Sequence, residues 1–280
     1  METIICPTDF STCAENALWY SDSLAQWLQA RIVLFHNVYV PVVVELAPAE
    51  GVPFVEAVQD PEYRQMQQTK LDILIQTFHS QDREMAVPIE SRIKYGDTLS
   101  SLVKLAKDEH ADLIVLGHAG FQEMFDDSFT ASIIKESPCP VLIVPPHVTF
   151  SRPKKIVFAT DLQGESFTDV SLVCQLARLF QAEIQLLHVL KEESFTRRQE
   201  AQAGLALLKK RMPHQNLSCH LTVHPELAEG IHRFCFDQQA DMLVVGWRNK
   251  NLWQQLFQHD KTSDIAAHSF LPLLVIHHQH

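Results

Sequence analysis

Apolar positions along the chain fall into two patterns. One consists of short, nearly continuous runs rich in β-branched residues, at 4–8, 31–38, 111–117, 140–144, 156–160, 183–189, 240–246 and 272–276. Such runs suit strands buried on both faces of a parallel sheet. The other is a helical period between the runs. After Asp9, the segment Thr12-Cys13-Ala14-Glu15 fits a capping box, and Ala14, Ala17, Leu18, Leu24, Ala25 and Leu28 share one helical face. Val170, Val173, Ala177 and Phe180 repeat that face later in the chain. Residues 65–79 and 196–211 predict second helices, and about 98–109 and 226–238 a third pair, the first of them capped by Asp97. Strand alternating with helix predicts right-handed βαβ units and a doubly wound sheet covered on both faces, with about five strands and four helices in each half. The stretch 39–64 holds Pro41, Pro48, Pro53 and Pro61 and does not fit a helix. It reads as a long loop: a lid, a contact surface or an inert excursion.

The runs recur in order. Ile-Ile-Cys-Pro-Thr-Asp (4–9) answers to Ile-Val-Phe-Ala-Thr-Asp (156–161), so Asp9 and Asp161 lie 152 residues apart, as do His36 and His188. Ala-Asp-Leu-Ile-Val-Leu-Gly (111–117) answers to Ala-Asp-Met-Leu-Val-Val-Gly (240–246) at an offset of 129. Pro140–Val144 answers to Pro272–Ile276 at an offset of 132. Four blocks in one order mark a duplication. The shifts place 23 extra residues between His36 and Gly117, and three extra after Gly246. The chain is thus expected to hold two tandem α/β domains, 1–146 and 153–280, joined by a linker at 147–152 beside Pro145, Pro146 and Pro153.

Composition narrows the class of protein. With 280 residues, 46% of them hydrophobic and 20% charged, each half is long enough for its own core. No apolar run reaches the roughly 20 residues of a membrane helix, and Met1-Glu2-Thr3 opens without a basic leader, so a cytoplasmic protein is expected, with no membrane partner. The net charge of −11 argues against nucleic acid as a partner. Residues 1–150 carry 9 Lys/Arg against 21 Asp/Glu, the rest 14 against 13. Six cysteines without a CxxC pair read as reduced, mostly buried thiols.

Ligands of doubly wound sheets bind beyond the carboxyl ends of the strands. There the first half reads Pro7-Thr8-Asp9, His36-Asn37-Val38 and Gly117-His118-Ala119-Gly120, followed by Ser128 and Thr130 before the last helix. This order, with Ser137-Pro138-Cys139-Pro140-Val141-Leu142-Ile143-Val144 as its ending, resembles the universal stress protein family, and the resemblance spans both halves. It implies a Rossmann-like domain of the adenine nucleotide alpha hydrolase type. It also implies that Asp9 and Val38 meet an adenine base while Gly117, Gly120, Ser128 and Thr130 line a phosphate path; Asp161, Val189 and Gly246 are the matching residues of the second half. Glycines admit backbone N–H groups to a phosphate, and hydroxyls add donors. The implied ligand is ATP or AMP, with Mg²⁺ only beside a bound nucleotide.

The phosphate-side residues depart from the family pattern of GxxG, nine residues, then Gly-Ser or Gly-Thr. In the first half only six residues follow Gly120, and Asp126 and Asp127 would face a phosphate with like charge unless a metal intervened. The second half keeps the spacing but has Asn249 and His259-Asp260 in place of the glycines, with Trp247 and Trp253 in the loop and Arg248, Lys250 and Lys261 as its cations. His36 and His188 read as hydrogen-bonded strand-end histidines rather than catalytic ones. Cys13, in a first helical turn, is a packing residue or a redox sensor. His277, His278 and His280 form a terminal cluster. GxSxG, HExxH and Walker sequences are absent, and Pro7-Thr8-Asp9-Phe10-Ser11 lacks the glycines of the related ATP-pyrophosphatase loop. The expected function is a non-enzymatic stress-response protein with a degenerate adenine-nucleotide site in the first half, the two halves forming an intramolecular pseudo-dimer through their last strands, open to homo-oligomer formation. The alternatives are a nucleotide-binding switch with slow ATP hydrolysis and a nucleotide-independent interaction scaffold.

Overall fold

A computed structural model describes residues 1–39, 61–79, 87–117, 127–162, 170–246 and 271–276, with the backbone alone at 127 and 128. Two compact units emerge, one of Met1–Gly117 with Glu136–Cys139, the other of His118–Lys135 with Pro140–His280.

In the first unit, β1 (Thr3–Pro7), β2 (Arg31–Val38), β3 (Ile89–Tyr95) and β4 (Leu113–Gly117) stand in the order β3-β2-β1-β4. Their pairings are all parallel. The helices are α1 (Thr12–Leu28), α2 (Pro61–His79) and α3 (Thr98–Asp108). The strand runs are buried as their composition predicts: Ile4, Ile5, Ile32, Val33, Leu34 and Ile114 are fully covered. Covering each such side chain contributes about 1.5–3 kcal/mol, which fixes these runs in the sheet's interior.

The second unit takes in β5 (Val141–Val144) and then β6 (Lys155–Ala159), β7 (Glu183–Leu190), β8 (Leu217–Val223), β9 (Met242–Gly246) and β10 (Leu273–Ile276), in the order β5-β10-β9-β6-β7-β8. Every pairing is parallel except that of β5 with β10, which is antiparallel, Leu273 facing Ile143. Helices α5 (Ser171–Phe180), α6 (Phe195–Arg211) and α7 (Leu227–Gln238) lie between the strands, and α4 (Asp127–Glu136) precedes β5. The five strands expected per half are all present. So are the helices, apart from any at 247–270, which lies outside the described residues.

The repeated Ala-Asp block has a structural purpose. The Asp112 carboxylate accepts from the backbone N–H groups of Glu2 (2.7 Å) and Thr3 (3.1 Å), tying the start of β1 to that of β4. Asp241 does the same for Lys154 (2.7 Å) and Lys155 (2.9 Å) at the start of β6. Each otherwise orphaned donor at a strand entrance thereby gains an acceptor.

Two sequence expectations need correction. The N-cap of α1 is Ser11, one residue before the Thr12 of the expected capping box; its hydroxyl accepts from Ala14 N–H, which puts Glu15 at the fourth helical position and not the third, from which a capping box is closed. The second helix begins at Pro61, inside the stretch read as loop, because proline's fixed φ and missing N–H suit a first helical position. The cysteines are free and mostly buried, as expected: Cys6, Cys139, Cys174 and Cys235 are buried, Cys13 is half-buried and Cys219 is exposed on β8. The loop at 40–60 is outside the described residues, although the strand offsets locate the insertion. Arg31 to Glu183 is 152 and Ile89 to Leu217 is 128, so the extra residues fall between β2 and β3.

Candidate functional site at the strand ends

In each unit the first strand lies between the second and fourth strands of its repeat, and the chain order switches direction there. Such a switch opens a crevice beyond the carboxyl ends of the strands. Val38 and Gly117 end β2 and β4 in the first unit, with Asp9 two residues beyond β1; in the second, Gly246 ends β9, Val189 is next to last in β7 and Asp161 lies two residues beyond β6. Three sequence-predicted residues therefore gather in each unit.

Thr8 extends β1 by one bond, its N–H donating to Phe35 C=O at 2.7 Å. The Thr8 hydroxyl accepts from Phe10 N–H at 3.0 Å, and Phe10 adopts a left-handed φ of 66°. The turn exposes Asp9, whose Oδ1 accepts from Ser11 N–H at 2.9 Å. His36 Nδ1 lies 2.8 Å from the Thr8 carbonyl oxygen, and its ring packs on Phe10 with centroids 4.6 Å apart. Because a carbonyl only accepts, Nδ1 carries the proton, which assigns the tautomer.

The second unit repeats this turn. Thr160 N–H donates to Leu187 C=O at 2.9 Å, and the Thr160 hydroxyl accepts from Leu162 N–H at 3.1 Å. Leu162 is left-handed at φ 59°, and His188 Nδ1 donates to the Thr160 carbonyl at 2.8 Å. Asp161 is half-buried where Asp9 is exposed. The histidines are thus hydrogen-bonded strand-end residues.

The equal histidine bonds fix the equivalence of neighbouring positions. Val189 stands where the first unit has Asn37, while Val38 is matched by Leu190. Gly96 N–H donates to Val38 C=O (3.0 Å) as His224 N–H donates to Leu190 C=O (2.8 Å). Asn37 is the residue that the strand-end reading passed over. Its amide donates to Gly96 C=O and Thr98 Oγ1, both at 2.9 Å, and its Oδ1 is buried without a partner among the described residues. The constant offset of 152 was the signal that could have found it.

Gly117 has a steric reason of its own. A Cβ there would stand 2.2 Å from the Cys13 carbonyl oxygen and 2.5 Å from its carbon, so glycine lets the first turn of α1 sit on the end of β4. A Cβ at Gly246 meets nothing within 4 Å among the described residues. Of the remaining predicted residues, Thr130 is buried on α4, and Ser128 lies on the same helix with its side chain undescribed. Gly120, the Asp126 position, the loop at 247–270 and His277, His278 and His280 fall outside the described residues.

Nothing among the described residues gathers three potential metal ligands, and no described helix is long and apolar enough to cross a membrane. The buried thiols are held in their neutral form: burial pushes Cys6 and Cys235 up to about 12 and Cys139 up to about 11.

The universal stress protein family matches the chain twice, over residues 1–145 and 153–277. Among solved structures, a universal stress protein from Archaeoglobus fulgidus DSM 4304 is similar over 98% of this chain and 97% of its own, with a TM-score of 0.66 and 14% identity. A putative universal stress protein from Pseudomonas aeruginosa UCBPP-PA14 covers 99% of this chain and 94% of its own, with a TM-score of 0.57 and 14% identity. At that identity the likeness shows the fold. A search of curated proteins finds no significant match. The double match, the doubly wound sheets and the duplicated strand ends together place this chain in the universal stress protein family, as a tandem member with two copies of the domain.

Proposed function

We propose that this chain is a non-enzymatic stress-response protein whose first repeat, 1–146, keeps a degenerate site for an adenine nucleotide, ATP or AMP. The second repeat, 153–280, follows the linker 147–152. The observation that carries the reading is Asp9: an exposed carboxylate, held on a left-handed turn at the switch point between β1 and β4, where a base donor can reach it. Asp9 and the backbone around Val38 serve the base; Gly117, Gly120, Ser128 and Thr130 border the phosphates. Asp126 and Asp127 weaken that side by like charge, so Mg²⁺ accompanies the nucleotide or a monophosphate is preferred. In the second repeat Asp161, Val189 and Gly246 remain at the strand ends, but the half-buried Asp161 makes it the weaker site. The antiparallel pairing of β5, from the first repeat, with β10, the last strand of the second, supports an intramolecular pseudo-dimer. A switch with slow hydrolysis is less well supported, since among the described residues Asp9 is given to the adenine base and His36 Nδ1–H to the Thr8 carbonyl, which leaves no general base assigned.

Thermal-shift titration with AMP, ADP and ATP, with and without Mg²⁺, tests the reading. A ligand at about 100 times its Kd adds about 2.7 kcal/mol of stability. Stabilisation that disappears in Asp9→Ala is expected. Millimolar nucleotide without any shift would overturn the nucleotide site and favour the interaction scaffold.

A further inference from the structure

We propose that His36 and His188 are positioning residues for the strand-end aspartates, acting through the carbonyl of the preceding threonine; the ligand side of this proposal rests on the nucleotide reading above. The two repeats supply independent copies of one arrangement. In each, the imidazole lies 28 residues after the threonine and donates to its carbonyl at 2.8 Å. In each, the threonine hydroxyl accepts from the residue two further on, and that residue is a left-handed non-glycine, Phe10 or Leu162.

The left-handed conformation is unfavourable for a side chain as large as Phe or Leu and persists where surrounding bonds over-determine it. Two bonds hold the two peptides before it, one on each side of the aspartate. The threonine hydroxyl binds the far side of the turn, and the histidine binds the carbonyl at its near side. Without the imidazole donor, the Thr8 carbonyl at the end of β1 loses its side-chain partner, and the Thr8–Asp9 peptide is free to rotate. Asp9 then leaves the geometry in which Oδ1 receives Ser11 N–H. The histidine thus fixes where the carboxylate points without touching a ligand.

The test uses the full chain, with His36→Leu and His36→Asn as variants. The Asn amide nitrogen stands near the place of Nδ1 and can restore the donor; Leu cannot. The first readout is the amide ¹H–¹⁵N resonance of Ser11 and Phe10, recorded without ligand. The Leu variant is expected to move both toward disordered values, and the Asn variant to return them to the parent positions. Ser11 and Phe10 resonances that stay unchanged in the Leu variant would overturn the proposal, as would equal displacement in both variants. The second readout is AMP affinity by thermal shift, expected to fall about tenfold in the Leu variant and to recover within about twofold in the Asn variant, the scale of one net hydrogen bond. Should AMP fail to bind the parent chain, the nucleotide reading falls while the amide resonances still decide the positioning role. His188→Leu, read at the Leu162 amide, repeats the test in the second unit.

Discussion

At single positions, tertiary packing explains residue choices that sequence only marks. Gly117, at the end of the fourth strand of its repeat, faces the Cys13 backbone at a distance no Cβ tolerates. Gly117→Ala is expected to cost about 3 kcal/mol, because the clashing atoms are backbone and cannot turn aside. Urea denaturation of the variant checks that cost. Packing also divides the cysteines. Burial raises the Cys6, Cys139 and Cys235 thiols far above neutral pH, so they should resist alkylation in the folded chain, while the exposed Cys219 is modified before them. Mass mapping after a short iodoacetamide pulse gives the order.

Among elements, the entrances of the second and third strands show how the duplicated frame took on different chemistry. In the first unit Arg31 on β2 and Arg92 on β3 both bind Glu109, at 2.8 and 2.9 Å, and Arg92 also binds Glu90 at 2.7 Å. Arg31 first, then Arg92, hold the Glu109 carboxyl below its ordinary value. At the positions of Arg31, Glu90 and Arg92 the second unit has Glu183, Ser218 and His220. There the Ser218 hydroxyl donates to Glu183 Oε1 and lies 2.8 Å from His220 Nε2. Because the serine hydroxyl spends its one proton donating to the carboxylate, its oxygen accepts from His220 Nε2–H in the other contact, so the histidine does not act as a base on the serine.

Both clusters lose stability on acidification, over different ranges of pH. Glu109 has a lowered folded value, so its stabilisation is complete above about pH 4.5 and is lost as pH falls through the lower folded value. Glu109→Gln should cost about 1–2 kcal/mol at neutral pH and remove that acid dependence. His220 is also lowered, by burial, against the pull of Glu183. Its contribution is complete above about pH 6.5 and falls as the pH drops through its lower folded value. His220→Gln, which keeps a donor near Nε2, should flatten the fall in melting temperature that begins below about pH 6.5. Differential scanning calorimetry across pH 4–8 reads both effects.

For the whole molecule, the strand that ends the first repeat completes the second unit's sheet. A fragment of residues 140–280 keeps β5 against β10; one of 153–280 leaves the β10 edge, with its buried Leu273, Leu274 and Val275, unpaired. The shorter fragment is expected to self-associate or aggregate through that edge, and the longer one to remain monodisperse by light scattering.

How much of this was legible follows from the range of the forces involved. The strand runs, the helical faces, the duplication and the strand-end aspartates were visible because burial imposes local periods, and because a duplicated frame keeps its apolar pattern at a fixed offset. Even Pro61 carried its signal, in a type of residue that starts helices as readily as it breaks them. What tertiary structure alone decided are contacts between residues far apart in sequence. The His36–Thr8 bond spans 28 residues, the Asp112 bonds span 109 and 110, and the Gly117–Cys13 contact joins two segments that no local pattern relates. Such contacts depend on register and on the angle at which a helix meets a sheet, and a one-residue shift abolishes them. The chain's sequence therefore determined two copies of one fold and the residues that close their strands; the packed structure decided which donor reaches each threonine carbonyl beside the aspartates and why position 117 must be glycine.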